Sequence, residues 1–384
     1  MKIIALYLPQ FHSIPENDVW WGNGFTEWVN MKKAKPLFEN HHQPRIPLNN
    51  KYYDLSDVEV MRWQAKLAKE NGVYGFCFYH YWFNGKLLLE KPVENFLKDK
   101  SIDFNYCISW ANEHWTDQWV SEKWTVLIEQ KYGDRPEWKQ HFEYLLPYFK
   151  DDRYIKYNGK PLFVIYKPEL IDKRKEMFEY WNELAMEEGI PGICFIFQRA
   201  EMILNNNKID LSMFDFCAEY QPGLAVARLQ LNNQKFIRLR KMKRKFFVFL
   251  GKHFKIDHRS VVLTPQGKGP RKDDYDLIWN RILEEDDIFP RIIPSAFVDW
   301  DNTPRRGEKG SVMLGANPTK FKEYFIKLII KAKDKYMTDM MFVLAWKEWA
   351  EGGYLEPDTL NDYGYLEAIK NALIETNEFP YDVD

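Results

Sequence analysis

Eight short apolar runs, most of them separated by helical stretches, constrain this chain more than any other feature of its sequence. They are IIALYLP (3–9), VYGFCFYHY (73–81), DFNYCISW (103–110), PLFVIY (161–166), GICFIF (192–197), FDFCAEY (214–220), PSAFVDW (294–300) and MFVLAW (341–346). Runs this brief and uniformly apolar suit strands buried on both faces, and their alternation with helices is the signature of parallel βα units. Eight units predict a single α/β domain over residues 1–384, a (β/α)8 barrel of the TIM type with loop insertions.

The intervening segments carry helix signals. Ser56 to Glu59 reads as a capping box, Val58, Met61, Ala65 and Ala68 follow helical spacing, and Asn71-Gly72 ends the segment. PELIDKRKEMFEYWNELAMEEG begins on Pro168 and stops at Gly189, and NPTKFKEYFIKLIIKAK has Pro318 near its start. One stretch, 222–272, interrupts the alternation between strands six and seven. It contains KFIRLRKMKRKFFVFLGKHFK (235–255), dense in Lys and Arg with interleaved aromatics. Such a stretch lies on an anionic membrane, grips an acidic polymer or forms a solvated helical insertion.

Composition then limits the partners. A formal net charge of -2 gives no global attraction toward nucleic acid. The aromatic fraction is 17%, with fifteen tryptophans, many beside Asn, Glu, Asp and His. That company suits sugar rings stacked on indole faces, so the expected partner is an oligosaccharide or polysaccharide. Cys77, Cys107, Cys194 and Cys217 each sit in an apolar run and read as reduced core thiols. MKIIALYLPQFH lacks a signal-peptide pattern, and no run approaches the ~18 apolar residues of a membrane span. The expectation is a cytoplasmic protein, peripheral at the inner membrane if 235–255 binds lipid.

In a (β/α)8 barrel the strands end at one shared mouth, where active sites lie. Here those ends bring Gln10, Phe11 and His12, then His80, Tyr81 and Trp82, then Trp110, Asn112, Glu113 and His114. Later ends supply Glu219 and Tyr220, then Asp299, Trp300, Asp301 and Asn302, and finally Trp346, Lys347 and Glu348. Glu348 and Glu351 are either a pair of carboxylates for glycosidic cleavage or a structural ion-pair set. Residues three apart on a strand face opposite sides, so the pair shares the mouth only if the chain turns after Trp346, as Gly352 and Gly353 allow.

Other residues leave two readings open. Trp20, Trp21 and Trp28, with Asn23 and Glu27, form either a sugar platform or loop packing. His12 and His80 either read hydroxyls or are structural. Asp299-Trp300-Asp301 could hold sugar hydroxyls, a divalent cation or a turn, with Arg305 or Arg306 meeting a carboxylate or phosphate. No HExxH, compact ligand spacing or GxGxxG is present, so neither metal nor cofactor is expected.

Long blocks of the chain resemble the WbsX-type family of bacterial polysaccharide-cluster proteins, related to glycoside hydrolase family 99. They are YLPQFHSIPENDVWWGNGFTEW (7–28), FCFYHYWFNGKLLLEKP (76–92), WANEHWT (110–116), DDRYIKYNGKPLFVIY (151–166), VDWDNTPRR (298–306) and WKEWAEGGYLEPD (346–358). The resemblance implies a (β/α)8 fold and action on surface polysaccharide such as O-antigen or capsule, the glycan being either free or lipid-linked. Glu348, Trp349, Glu351 and Gly352 match the hydrolases' Glu-Trp-x-Glu-Gly motif. By that match Glu348 would be a base acting on the substrate's own 2-hydroxyl, through a 1,2-anhydrosugar, and Glu351 the proton donor, which would need a raised pKa. Lys347 stands where the family has asparagine, and His114 where ANENW has its second asparagine. The resemblance leaves a retaining endo-glycosidase or transglycosylase beside two alternatives: a glycosyltransferase using an activated donor, and a non-catalytic glycan-binding barrel.

Overall fold

The computed structural model describes residues 1–117, 125–199, 210–232, 269–285 and 291–380. Eight parallel strands form the centre: β1 (Lys2–Tyr7), β2 (Gly75–Phe83), β3 (Asn105–Trp110), β4 (Lys160–Ile165), β5 (Cys194–Arg199), β6 (Phe216–Glu219), β7 and β8 (Met340–Leu344). They pair in sequence order, and β1 also pairs β8, with Ala5 opposite both Phe76 and Val343.

Pro294 divides β7 into Ile292–Ile293 and Ser295–Phe297. A proline has no N–H for a ladder, so the strand bends there and changes partner. Its first half bonds β6, with Ala218 opposite Ile293, and its second bonds β8, with Ser295 opposite Phe342. The Pro294 carbonyl still accepts from Phe342 N at 3.0 Å. This change of partner closes the barrel.

The helical layer includes α1 (Pro15–Trp21), α2 (Glu27–Lys33), α3 (Val58–Glu70), α4 (Lys91–Lys98), α5 (Arg135–Phe149), α6 (Arg174–Glu187), α7 (Gly223–Asn232), α8 (Tyr275–Glu284), α9 (Thr303–Arg306), α10 (Pro318–Asp334) and α11 (Gly364–Glu375). The cap of α3 falls one residue later than expected: Asp57, not Ser56, accepts from Glu59 N at 3.0 Å, while Ser56 N is held by Asp54. Helix α6 starts at Arg174 rather than Pro168, because Pro168–Leu170 forms a separate 3-10 turn.

At the barrel's floor, Arg153 donates to the carbonyls of Phe96, Leu97, Asp99 and Ile102 and to Asp151, joining α4 to the start of β3. The four cysteines are buried thiols. No helix among the described residues is long and apolar enough to cross a membrane. Residues 222–232 and 269–272 of the expected insertion are described, the former as Pro222 and the whole of α7 after β6, whereas the basic stretch 235–255 lies outside the described residues.

Trp279 joins the layers. Its ring, fully buried on α8, stacks on Phe297 of β7 (5.3 Å, 14°) and on Tyr324 of α10 (5.5 Å, 3°). Trp279→Ala is expected to cost about 3–5 kcal/mol through lost stacking and the residual cavity. Chemical denaturation would check this, and a loss below about 1 kcal/mol would contradict the sandwich's role.

Candidate active site

An open cleft of about 170 Å³ lies at the C-terminal mouth of the barrel. Its aromatic walls are Trp21 and Phe25 from the first loop, Tyr79 and Tyr81 of β2, Trp115 after β3, Tyr166 after β4 and Tyr220 after β6. Its polar lining comprises Gln10, Glu27, Asn30, Glu113, His114, Arg305, Glu348 and Glu351.

The turn required to bring both glutamates into this cleft is present. After β8, Lys347–Glu348 pairs antiparallel with Gly353–Tyr354, and Trp349–Glu351 forms a 3-10 turn between them. Gly352 ends the turn in the left-handed region (φ 70°). A Cβ at Gly352 would sit 2.7 Å from Asp301 N, the same N–H that donates to the Glu351 carbonyl at 2.7 Å. Glycine is required by both conformation and space.

At the cleft's base three carboxylates converge on one guanidinium. Arg305 donates from Nη1 to Glu351 Oε1 (2.6 Å), from Nε to Glu27 Oε2 (3.1 Å) and from Nη2 to Glu348 Oε2 (3.4 Å). The three glutamates are buried, and the arginine's side chain is 8% exposed, the carboxylates' side chains no more. Burial by itself would make the arginine easier to deprotonate. The carboxylates of Glu27, Glu351 and Glu348 outweigh that and hold it above its ordinary pKa. Burial, and then the negative charge of Glu351, push Glu348 well above the usual carboxylate range, against the pull of Arg305. In the unliganded cleft Glu348, the residue that the resemblance makes the base, therefore keeps its proton to higher pH than an ordinary carboxylate.

Of the expected sugar contacts, Trp21, Tyr81, Glu113 and Arg305 line this cleft with the two glutamates. Glu113 is also paired with Lys167. The other expected contacts are not among its lining residues, and strand alternation explains two of them. Tyr79 and Tyr81 face the cleft, so His80 and Trp82 face the helices: His80 Nε2 lies 2.9 Å from His141 Nε2, and Trp82 stacks on His141 at 4.6 Å. Burial pulls His80 down to about 3, so it is a neutral core residue. Trp110 donates to the Trp82 carbonyl (3.3 Å), and Asn112 is joined to the Lys167 backbone by two bonds of 2.7 Å. Trp28 donates to Tyr53 O (2.8 Å), His12 Nδ1 meets Pro9 O (3.0 Å), and Glu219 is buried beside Arg199 in the sheet register.

The Asp299–Asn302 group is turned into the loop scaffold. Asp299 bonds Arg45 (2.6 Å), Asp301 accepts from His41 (2.8 Å), Gln43 (2.7 Å) and Thr303 (2.6 Å), and Asn302 accepts from Ser311 N (2.7 Å). His41 Nδ1 accepts from Leu37 N, which places the hydrogen of the neutral ring on Nε2, aimed at Asp301. Trp300 donates to Ser311 Oγ at 3.0 Å. No cluster of three His, Cys, Asp or Glu side chains among the described residues could hold a metal ion.

Trp346 and Lys347 are fully buried. Lys347 Nζ sits 3.6 Å from the centre of the Tyr7 ring, with Phe11 and Tyr53 at 5.3 and 5.4 Å, and has no hydrogen-bond partner among the described residues. Burial lowers its pKa well below the ordinary lysine value, although Glu356 and Glu348 favour the charge. The sequence also did not mark Tyr79, Tyr166, Phe25, Asn30 or Trp115 as cleft residues. Tyr79 could have been found, because it lies two positions before Tyr81 and so on the same strand face.

Fold and cleft define a (β/α)8 barrel with carboxylates and aromatics gathered at its mouth. The chain belongs to the family described as Glycosyltransferase WbsX, which it matches over residues 3–369, by that description a carbohydrate-active family. Two relatives, each named uncharacterized protein WxcX, come from Xanthomonas campestris pv. campestris, strains ATCC 33913 and B100. Each is 33% identical over 376 residues, which are 97% of this chain and 49% of the relative. The chain thus spans about half the length of those relatives. Among solved structures, the GH99 endo-alpha-mannosidase from Bacteroides thetaiotaomicron has a TM-score of 0.54 at 14% identity, with 98% of this chain and 97% of that one covered. A protein described as glycoside hydrolase-like has a TM-score of 0.54 at 11% identity, with 97% and 93% covered. At these identities the likeness is one of fold.

Because the folded state depresses the Lys347 pKa, the unfolded chain binds this proton more readily. The resulting penalty is absent above about pH 10.4, grows as pH falls, and levels off below the folded-state pKa. Lys347→Met is expected to flatten this slope and to raise stability at pH 7 by about 1–4 kcal/mol. Denaturation between pH 6 and 10 checks it; an unchanged slope would mean that the amine titrates normally.

Proposed function

We propose that this protein cleaves or transfers a glycosidic bond in a bacterial surface polysaccharide by retaining chemistry, with Glu348 and Glu351 as the working pair. The observation that carries the reading is two buried carboxylates on one turn, opening into a cleft walled by aromatic rings. In the first step Glu348 takes the proton of the substrate's 2-hydroxyl, whose oxygen attacks the anomeric carbon. The C1–O2 bond forms, the glycosidic bond breaks, and Glu351 gives its proton to the departing oxygen. In the second step Glu351 takes a proton from water, whose oxygen attacks C1 as the C1–O2 bond breaks, and Glu348 returns its proton to O2. Two inversions at one carbon give retention.

Transfer from a nucleotide-activated donor is the rival reading, supported by the family's description. A diphosphate needs cations or a cradle of backbone amides. Among the described residues lining the cleft, Arg305 is the single Lys or Arg, and three carboxylates of the protein already engage it. This favours a glycan over a sugar nucleotide. We extend the proposal to lipid-linked glycan at the cytoplasmic membrane face, with 235–255 as the basic contact. Cosedimentation with anionic vesicles checks that part, and no binding at low salt would sink it.

Mass spectrometry of the host's repeat-unit oligosaccharide, incubated with the protein in 18O-water, separates the two chemistries. Hydrolysis places 18O at a new reducing end, and Glu351→Gln should lower this by about 10²–10⁴-fold, the usual contribution of a general acid. Chain extension with nucleotide release and no 18O would establish the rival instead.

A further inference from the structure

We infer that Arg305, anchored by Glu27, is the positioning residue that decides which of Glu348 and Glu351 carries the transferable proton. The inference rests on the proposed acid–base pair and goes beyond it by adding a third carboxylate with a different task.

Three buried carboxylates share one cation, so full ionisation would leave two negative charges uncompensated in a poorly solvated site. A shared proton relieves that, and its place depends on how the guanidinium divides its donors. Arg305 uses Nε for Glu27, which leaves both Nη groups to fan across the catalytic pair. The division is unequal: 2.6 Å to Glu351 and 3.4 Å to Glu348. The less tightly held carboxyl is the natural seat of the proton, and burial together with Glu351 raises Glu348 accordingly.

The chemistry requires the opposite distribution, with the base ionised and the donor protonated. A shift of less than about 1 Å in the two Nη atoms would equalise or reverse the two bonds, since N–H···O bonds strengthen over that range. Glu27 fixes the point about which that shift occurs. It enters from the first turn of α2, Arg305 from α9 and the pair from the turn after β8, so the anchor comes from a different part of the chain than the groups it serves.

Other charges face the cluster without replacing this division. Lys347 lies behind Glu348 on the same short strand, and Arg306 faces Glu351. Across the cleft stand Tyr79, Tyr81, Tyr166 and Tyr220, each pushed above its ordinary pKa by burial and then by neighbours that include Glu348. Glu113 is paired with Lys167. Those tyrosines stay neutral at working pH, and among the described residues Arg305 and Glu27 are charges bonded into the pair's own network.

Glutamate-directed 13C NMR reads carboxyl titration with no substrate, once Glu348→Gln and Glu351→Gln assign the two resonances. The expected result for Glu27→Gln is a Glu348 titration displaced downward by about one pH unit, because a like charge is removed and Nη2 is released toward Glu348. For Arg305→Met both members of the pair should move upward by about one unit or more. Where turnover is measured, the acid limb of kcat/KM in Glu27→Gln should move down with the Glu348 titration while KM stays within about twofold. Titration curves in Glu27→Gln that coincide with those of the unaltered protein would overturn the inference. That variant decides alone should Arg305→Met not fold. Absence of any turnover by the unaltered protein would sink the glycosidase reading, whereas the NMR titrations judge the arginine's role independently.

Discussion

The bond between Arg305 and its three carboxylates is the constraint on which the candidate site depends. Glu27, Glu348 and Glu351 could not be gathered in a buried cleft without a cation among them, because each uncompensated charge there costs several kcal/mol. The arginine's planar fork suits the task in a way a lysine would not, since it offers separate donors in fixed directions to three carboxylates from two parts of the chain. Closure of the barrel makes this meeting possible. Pro294 passes β7 from β6 to β8, and the loop that follows delivers Arg305 to the turn that carries the glutamates.

A second polar cluster supports that turn from below. Glu356 accepts from Tyr53 (2.6 Å), Gln64 (2.6 Å) and Trp349 (2.7 Å), and Gln64 accepts in turn from Tyr7 (2.6 Å). Tyr7 and Tyr53 also form two sides of the cage around Lys347. The strand bearing Glu348 is therefore held through its neighbours on both sides, by ring faces around Lys347 and by hydrogen bonds around Trp349. The first loop is braced in the same manner, because Asp299 and Asp301 bind Arg45, His41 and Gln43.

Much of the architecture is legible in the amino-acid sequence. All eight apolar runs form barrel strands, because a strand buried on both faces leaves a continuous apolar signal that needs no knowledge of its partners. The turn at Glu348–Glu351 is legible for a similar reason: two glycines following a strand end permit few local conformations. Side-chain direction is harder to read. His80, Trp82, Trp110 and Asn112 are the residue types that serve sugar sites, yet they serve the core here, and only the alternation of β2 distinguishes Tyr79 and Tyr81 from their neighbours.

What the sequence by itself determined is the local content: strand and helix periodicity, the glycine-dependent turn, and the two glutamates three residues apart. What the tertiary structure alone decided is which charges meet. Glu27 and Arg305 are 278 residues apart, and no local pattern ties them to each other or to Glu348 and Glu351. Lys347 lies beside a glutamate in sequence but is directed into an aromatic cage by strand alternation. Electrostatic environment is a sum over neighbours in space, so it exists only after the barrel has closed.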